Sequence, residues 1–237
     1  MSGNECFIHI GTHKTGTTSF QQFLYDNMQA LLFQGVDPLA DFERAPPIGP
    51  KAFNVRNIAH LFIRPELLTG PRLRGRTPML DDEHKRLFED ALVERINRSL
   101  FPKIIASAEA FCFLRTDQER QHMSAFLSRL NRRVRFFVVF RDDESWRQSW
   151  IKQVNKGAAL RALHGFSNAD TPDLIADWYF DKRAIRSFWS SIGELVELDY
   201  AEHADVRHGL ARCMGVATQG LVFGPWQNVS LPDQVQR

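Results

Sequence analysis

Residues Cys6–Leu24 read "CFIHIGTHKTGTTSFQQFL" and combine a mostly apolar run, a glycine-containing loop and the start of a helical pattern. The run Cys6–Ile10 is typical of a buried strand. After the loop, apolar residues recur at helical spacing as far as Leu32, and Gly35 follows as a stop signal. A glycine loop between a strand and a helix predicts an anion site, because backbone N–H groups and the helix dipole both favour negative charge there.

The loop departs from the usual phosphate-binding pattern at one position. Residues 11–18 read G-T-H-K-T-G-T-T, which fits G-x-x-x-x-G-K-[ST] except that Thr17 occupies the lysine position. The lysine stands instead at Lys14, in the middle of the loop. We therefore expect a phosphate to bind here, and we expect the lysine ammonium to contact a different part of the ligand than in the usual pattern.

Three further apolar runs alternate with helical patterns along the chain: Lys103–Ala108, Arg135–Phe140 and Leu195–Leu198. Unbroken apolar runs are typical of strands buried on both faces. Strands that alternate with helices predict parallel βαβ units. We expect a single α/β domain over residues 1–237, with a central, mainly parallel sheet flanked by helices and resembling P-loop nucleotide-binding proteins.

Two helices have recognisable starts. Thr116 and Glu119 form a capping-box pattern. Asp142 or Asp143 is expected to cap a further helix that ends near Gly157.

Residues 38–78 break the alternation, since they hold seven of the eleven prolines. We expect a largely irregular excursion, and long loops of this kind often act as lids or binding elements. The segment carries four arginines, which we interpret as solvated surface charge, the commonest role of loop arginines: Arg64, Arg72, Arg74 and Arg76.

The bulk composition excludes several classes of protein. The chain has 237 residues, 43% of them hydrophobic and 24% charged, with a net charge of +2. These values are typical of a soluble globular protein, and no basic block favours nucleic acid or a membrane surface. No apolar run reaches the roughly 18 residues of a membrane span. Three scattered cysteines favour a reducing, cytoplasmic location, no metal site is indicated, and the oligomeric state is left open.

A second motif lies at residues 138–150, which read "VVFRDDESWRQSW". A buried strand runs into Arg141, at the point where a nucleotide triphosphatase often carries an acidic residue for magnesium. An arginine there favours a second anion. Ser149 follows Arg141 by eight residues.

Together the two motifs resemble those of the sulfotransferases that use 3′-phosphoadenosine 5′-phosphosulfate (PAPS). "THKTGTTS", residues 12–19, is similar to the family's 5′-phosphosulfate loop, and residues 138–150 are similar to its 3′-phosphate motif. Two residues depart from the pattern: His13 stands where many members have proline, and Ser19 where they often have tryptophan.

The resemblance implies the P-loop-type sulfotransferase fold, with metal-independent transfer of a sulfuryl group from PAPS to an acceptor hydroxyl or amine. Lys14 would donate to the bridging oxygen of the bond that breaks. Arg141 and Ser149 would hold the 3′-phosphate. The 5′-phosphate would be held by the rest of the loop and the helix start: Thr15, Gly16, Thr17, Thr18 and Ser19.

The sequence offers two candidates for the general base. Glu109 follows the strand Lys103–Ala108, so it is expected at the carboxyl edge of the sheet, where ligands bind in open α/β folds. It is the first candidate, although a carboxylate at this position also serves to orient loops. His13, beside Lys14, is the alternative base.

Two other functions stay open on the sequence alone. A nucleotide or small-molecule kinase would use the same phosphate loop, and a non-catalytic nucleotide-binding module would retain it without transfer. For a sulfotransferase, the sequence does not specify the acceptor, and a small metabolite, a carbohydrate, a lipid or a peptide side chain would each be compatible. Residues 228–230 are similar to the tails of bacterial sulfotransferase-like proteins, and this resemblance implies that Asn228 and Ser230 approach the cofactor.

Overall fold

Five parallel strands form the central sheet, in the order β2-β3-β1-β4-β5. The computed structural model describes residues 3–41, 49–73, 75–77, 79–162, 177–203 and 205–225. The four predicted strands are confirmed, and the predicted parallel α/β fold is correct. The strands are β1 (Glu5–Ile10), β2 (Val36–Pro38), β3 (Lys103–Ala108), β4 (Arg133–Phe140) and β5 (Glu194–Asp199).

Strand β2 was not predicted from the sequence, because it has only three residues. Val36 pairs with Lys103, and Leu39 N–H donates to the Ile105 carbonyl at 2.8 Å just beyond the strand. A strand this short gives no periodic signal in the sequence. Its place at the edge of the sheet comes from pairing with β3.

Helices cover the sheet and connect its strands. The long ones are α1 (Thr17–Asp26), α5 (Asp82–Asn97), α6 (Asp117–Leu127), α7 (Asp143–Ala162), α9 (Lys182–Ser190) and α10 (Val206–Cys213). The short ones are α2 (Met28–Phe33), α3 (Arg56–Phe62), α4 (Gly70–Leu73) and α8 (Asp177–Phe180), with 3₁₀ helices at Pro50–Phe53 and Glu109–Phe113. None of the described helices is both long and apolar enough to cross a bilayer.

The helix expected to run from the loop to Gly35 is divided in two. Asn27 separates α1 from α2, and its side-chain amide donates to the carbonyls of Phe23 at 2.9 Å and Val222 at 2.8 Å. The amide therefore caps α1 and holds a distant segment at the same time. Gly35 ends the pattern as predicted, with a φ of 78°.

The predicted helix starts are confirmed, but one predicted end is wrong. Thr116 and Glu119 form a complete capping box at α6. Asp142 accepts a hydrogen bond from Ser145 N–H at 2.9 Å and so caps α7. That helix continues through Gly157 to Ala162, because one glycine costs a helix only about 1 kcal/mol.

The two faces of the sheet bury separate clusters of apolar side chains. Phe7 of β1 lies in the cluster covered by α1 and α10, whereas Ile8 lies in the cluster covered by α6 and α9. Alternate residues of a strand point to opposite faces, so a sheet covered on both sides needs apolar residues at every position. This explains the unbroken apolar runs in the sequence.

Residues 38–78 are more regular than expected, since the described part holds a 3₁₀ helix, α3 and α4. Two of its arginines are cross-links rather than solvated charge. Arg72 donates to four backbone carbonyls, and Arg64 pairs with Glu119 at 3.1 Å. Arg76 is exposed, and Arg74 lies outside the described residues.

Candidate functional site

The candidate site lies at the carboxyl edge of the sheet, where β1, β3 and β4 end together. Ile10, the last residue of β1, pairs with Ala108 on one side and with Val138 on the other. The connection after β1 runs towards β2 at one edge of the sheet, whereas the connection after its neighbour β4 runs towards β5 at the other edge. Open α/β sheets bind ligands in the crevice formed at such a point.

The loop after β1 turns tightly at two left-handed residues. Lys14 has a φ of 69° and Gly16 a φ of 87°. Glycine adopts this conformation freely, whereas lysine does so at a cost. Lys14 is the one non-glycine residue of the described chain with a positive φ. Strained backbone of this kind is concentrated at functional sites.

Gly11 is required by close packing rather than by its φ angle. A Cβ atom at this position would lie 2.7 Å from Thr17 Oγ1 and 3.1 Å from Glu109 Cα. The start of α1 and the end of β3 are therefore both in contact with the first residue of the loop. Close packing at Gly11 therefore places the loop directly beside Glu109.

Hydroxyl groups within the loop bond to backbone carbonyls. Thr12 Oγ1 donates to the Val139 carbonyl at 2.8 Å, and Thr15 Oγ1 donates to the Thr12 carbonyl at 2.6 Å. Both side chains are buried. The first bond fixes the loop to β4, and the second holds the loop in its turn.

The start of α1 has the properties of an anion site. Gly16 is the N-cap and offers no side chain to accept hydrogen bonds from the N–H groups of the first turn. Of the predicted phosphate-binding residues here, Thr18 is exposed whereas Thr17 and Ser19 are buried. Thr18 is thus the hydroxyl at the helix start that is accessible to a ligand.

Glu109 and Lys14 act on each other across this edge. Glu109 opens the 3₁₀ helix directly after β3. Burial raises the pKa of its carboxyl above the ordinary value, while a hydrogen bond with the Asn54 side chain and the charge of Lys14 act in the opposite direction. A carboxylate with a raised pKa beside a cation is suited to accepting a proton.

The ring of His13, a residue of the loop, packs among aromatic side chains. Its Nδ1 atom is hydrogen-bonded to the Tyr179 hydroxyl at 2.6 Å, and its ring centroid lies 4.2 Å from that of Trp150. Burial, together with the charge of Lys14, lowers the pKa of His13 to about 3. The imidazole is therefore neutral near pH 7, and α7 and α8 hold its ring in place.

Arg141 follows β4 and turns towards the first turn of α7. Its Nε donates to Ser145 Oγ at 2.7 Å, and its guanidinium carbon lies 5.2 Å from the centroid of the Tyr200 ring. Ser149, its predicted partner, lies one helical turn beyond Ser145 and is half-buried. Arg141 therefore contacts Ser145, a residue for which the sequence predicted no role.

The remaining predictions concern the C-terminal residues and metal binding. Asn228 and Ser230 lie outside the described residues. Within the described part of the chain, no three histidine, cysteine or carboxylate side chains come together as metal ligands.

Comparison with known proteins agrees with this architecture. No protein-family model matches the chain, and no curated protein matches its sequence. Its structure is similar to the crystal structure of a sulfotransferase from Alicyclobacillus acidocaldarius, with a TM-score of 0.51 and 15% sequence identity. The match covers 98% of this chain and 88% of that one.

The chain has a sulfotransferase fold. At 15% identity the similarity describes the architecture, and the chemistry depends on the side chains at the sheet edge. The predicted fold class is confirmed, with its five parallel strands flanked by helices.

Four residues at this edge of the sulfotransferase fold were not found from the sequence: Asn54, Ser145, Tyr179 and Tyr200. Tyr200 directly follows β5, so the rule that pointed to Glu109 would also have found it. Ser145 lies within the second motif but four residues before the serine that matched. Asn54 and Tyr179 carry no local signal, because they are brought to the site by packing.

Proposed function

We propose that this protein transfers a sulfuryl group from PAPS to a hydroxyl or amine of a small-molecule, carbohydrate or lipid acceptor. The observation that carries the proposal is the meeting of Lys14, Glu109 and Arg141 at one edge of a sulfotransferase fold. Each follows a different strand. A phosphate cradle, a carboxylate of raised pKa and an anion-binding arginine are the three parts that such a transfer needs.

The loop and the start of α1 fit the 5′-phosphate end of the donor. Because the hydroxyls of Thr12 and Thr15 bond within the loop, the phosphate would be held chiefly by backbone N–H groups of residues 15–19. Thr18 would add its exposed hydroxyl. A Cβ at Gly11 would collide with Thr17, so the cradle depends on this glycine.

Arg141 fits the 3′-phosphate. Its bond to Ser145 uses one of the five N–H donors of a guanidinium, a group whose shape matches phosphate oxygens. The Tyr200 ring supports the guanidinium from one side. Ser149 would join Arg141 from the next turn of α7. A 3′-phosphate contact distinguishes PAPS from ATP.

In the reaction, the donor supplies an activated sulfuryl group. Glu109 would accept the proton of the acceptor hydroxyl as the acceptor oxygen forms its bond to sulfur. Lys14 would donate a hydrogen bond to the phosphate oxygen that leaves, and so stabilise the negative charge that develops on it. His13 remains the second candidate for the base. Its half-buried position between aromatic rings and its bond to Tyr179 favour a supporting role.

Calorimetry with adenosine 3′,5′-bisphosphate in the absence of magnesium tests the proposal without knowledge of the acceptor. We expect tight binding by the wild type, and weaker binding by at least about tenfold for Arg141→Ala, since a charge-assisted contact contributes about 1.5–3 kcal/mol. AMP, which lacks the 3′-phosphate, should bind more weakly than the bisphosphate.

Arg147→Ala is the matched control. Arg147 lies on α7 but pairs with Asp177 at 2.9 Å and stacks over Phe180, so its loss should leave bisphosphate binding unchanged. Equal binding of AMP and the bisphosphate, or an unaffected Arg141→Ala variant, would contradict the proposal. Magnesium-dependent turnover of ATP would instead favour a kinase.

A further inference from the structure

We propose that Asn54 is a positioning residue for Glu109: its side-chain amide holds the carboxylate beside Lys14, ready to receive the acceptor proton. The inference rests on the proposed function, since it concerns the same reaction. It also gives residues 38–78 a definite part in the site. The sequence indicated only a lid or an acceptor-binding element there.

The backbone fixes Asn54 at the end of β3. Residues 36–38 form β2 beside the first half of β3, after which the chain leaves the sheet. It returns at Asn54, which forms an isolated parallel bridge with Ser107, and Val55 N–H donates to the Ser107 carbonyl at 3.0 Å. Ser107 lies two residues before Glu109. Asn54 thus occupies the place that a longer β2 would have reached.

Its neighbours in the chain hold this position rigid. Phe53 and Val55, on either side of Asn54, are 1% and 0% exposed. Phe53 packs in the apolar cluster on the α1 face of the sheet, whereas Val55 packs in the cluster on the opposite face. Two buried anchors therefore leave Asn54 little freedom, as preorganisation of a site requires.

The chemistry of an amide suits this contact. Asn54 hydrogen-bonds to the Glu109 carboxyl, and an amide N–H donor stabilises a carboxylate without adding a second positive charge. A carboxylate has about four acceptor positions, so one donor leaves others for the acceptor proton. The other groups that act on Glu109 are Lys14, from the loop after β1, and Cys112, on the same 3₁₀ helix.

The test follows the carboxyl of Glu109 by ¹³C NMR in protein labelled at its glutamate side chains. A spectrum of Glu109→Gln identifies the signal. Because the amide favours the ionised form, we expect Asn54→Ala to raise the pKa of Glu109 above its wild-type value. Asn54→Asp, which keeps the size of the side chain, should raise that pKa further by adding a like charge.

Asn57→Ala is the matched control. Asn57 lies three residues further on, and its side-chain oxygen accepts a hydrogen bond from Thr77 Oγ1 at 3.0 Å. This change should leave the titration of Glu109 as in the wild type. An unchanged Glu109 titration in both Asn54 variants would overturn the inference.

Turnover provides a second, separate readout. Once sulfuryl transfer is measured, Asn54→Ala should lower kcat at neutral pH by about tenfold with little change in KM, and higher pH should restore part of the loss. An unaffected kcat would refute the positioning role while leaving the proposed function intact. A shifted titration in a protein that transfers no sulfuryl group would support the contact between Asn54 and Glu109 and contradict the proposed function.

Discussion

The Nδ1 atom of His13 lies 2.6 Å from the hydroxyl of Tyr179, so one hydrogen bond joins the loop after β1 to α8. Tyr179 is fully buried, and its hydroxyl also lies 3.9 Å from Cys112 Sγ. The ring of Trp150 covers the same imidazole from α7. The loop is therefore supported by helices that are far from it in the sequence.

Replacing Tyr179 with phenylalanine should destabilise the protein by about 1–3 kcal/mol, because a half-buried imidazole nitrogen would lose its bond to the hydroxyl and keep only a 3.8 Å contact with Cys112 Sγ. The aromatic packing would be kept. Urea unfolding of the wild type and Tyr179→Phe measures the difference. Tyr25→Phe is the control. Because Tyr25 is 38% exposed, this substitution should change the free energy of unfolding little. Equal losses in the two variants would show that the bond to His13 adds no stability.

Replacing Lys14 with alanine should reduce the rate of PAPS consumption by about 10²–10³-fold, the typical effect of losing a group that stabilises transition-state charge. Stability should change little, because alanine meets the same left-handed strain at a φ of 69°. The bisphosphate product can be followed with a panel of acceptors, and circular dichroism checks the fold. Lys152→Ala, on the exposed surface of α7, is the control. Turnover at the wild-type rate would exclude the assigned role of Lys14.

Replacing Gly11 with alanine should both destabilise the protein and weaken binding of the bisphosphate. The new methyl group would lie 2.7 Å from Thr17 Oγ1 and 3.1 Å from Glu109 Cα, and overpacking of this kind costs about 1–3 kcal/mol. Urea unfolding and calorimetry measure the two effects. Gly3→Ala is the control, since a Cβ there meets nothing within 4 Å. Gly11→Ala with normal affinity would show that the cradle tolerates a shift of α1.

Acid should destabilise the fold through its buried histidines. Burial lowers the pKa of His9 to about 3 and that of His60 to about 4, from an ordinary value of 6.5. Below pH 6.5 these histidines bind protons in the unfolded chain but stay neutral in the folded protein. The free energy of unfolding therefore falls as the pH drops from 6.5 towards 3. Above pH 6.5 this contribution is complete and constant. Urea unfolding at a series of pH values measures the trend.

His9→Asn tests one such group, because asparagine can keep the bond that His9 Nδ1 makes with Ser107 Oγ at 2.9 Å. The variant should lose less stability on acidification than the wild type. His84→Asn is the control, since the side chain of His84 is 60% exposed. If both variants follow the wild-type acid curve, His9 does not contribute to the acid sensitivity.

The positions of several candidate site residues could be predicted, because each lies close to the end of its own strand in the sequence. The loop that carries Lys14 follows its own strand directly, and Arg141 likewise follows β4. A parallel sheet brings the carboxyl ends of its strands to one edge. The prediction of Glu109 at this edge used the same rule.

Contacts between distant segments could not be predicted in this way. Asn54 reaches Glu109 only because the chain returns to pair with Ser107 after leaving the sheet at β2. The four carbonyl bonds of Arg72 depend on the path of residues 60–67. No periodicity marks such residues, since their partners are set by packing rather than by spacing along the chain.

The sequence by itself determined the parallel α/β architecture and the strand-to-helix turn that carries Lys14, and it placed Glu109 and Arg141 directly after strands at the same edge. Apolar runs that must be buried on both faces, and glycines at a strand-to-helix turn, permit few other arrangements. The tertiary structure alone decided which side chains support those groups: Asn54 at Glu109, Tyr179 at His13 and Ser145 at Arg141. Hydrogen bonds act over about 3 Å, so such pairs exist only once the whole sheet and its helices have brought them together.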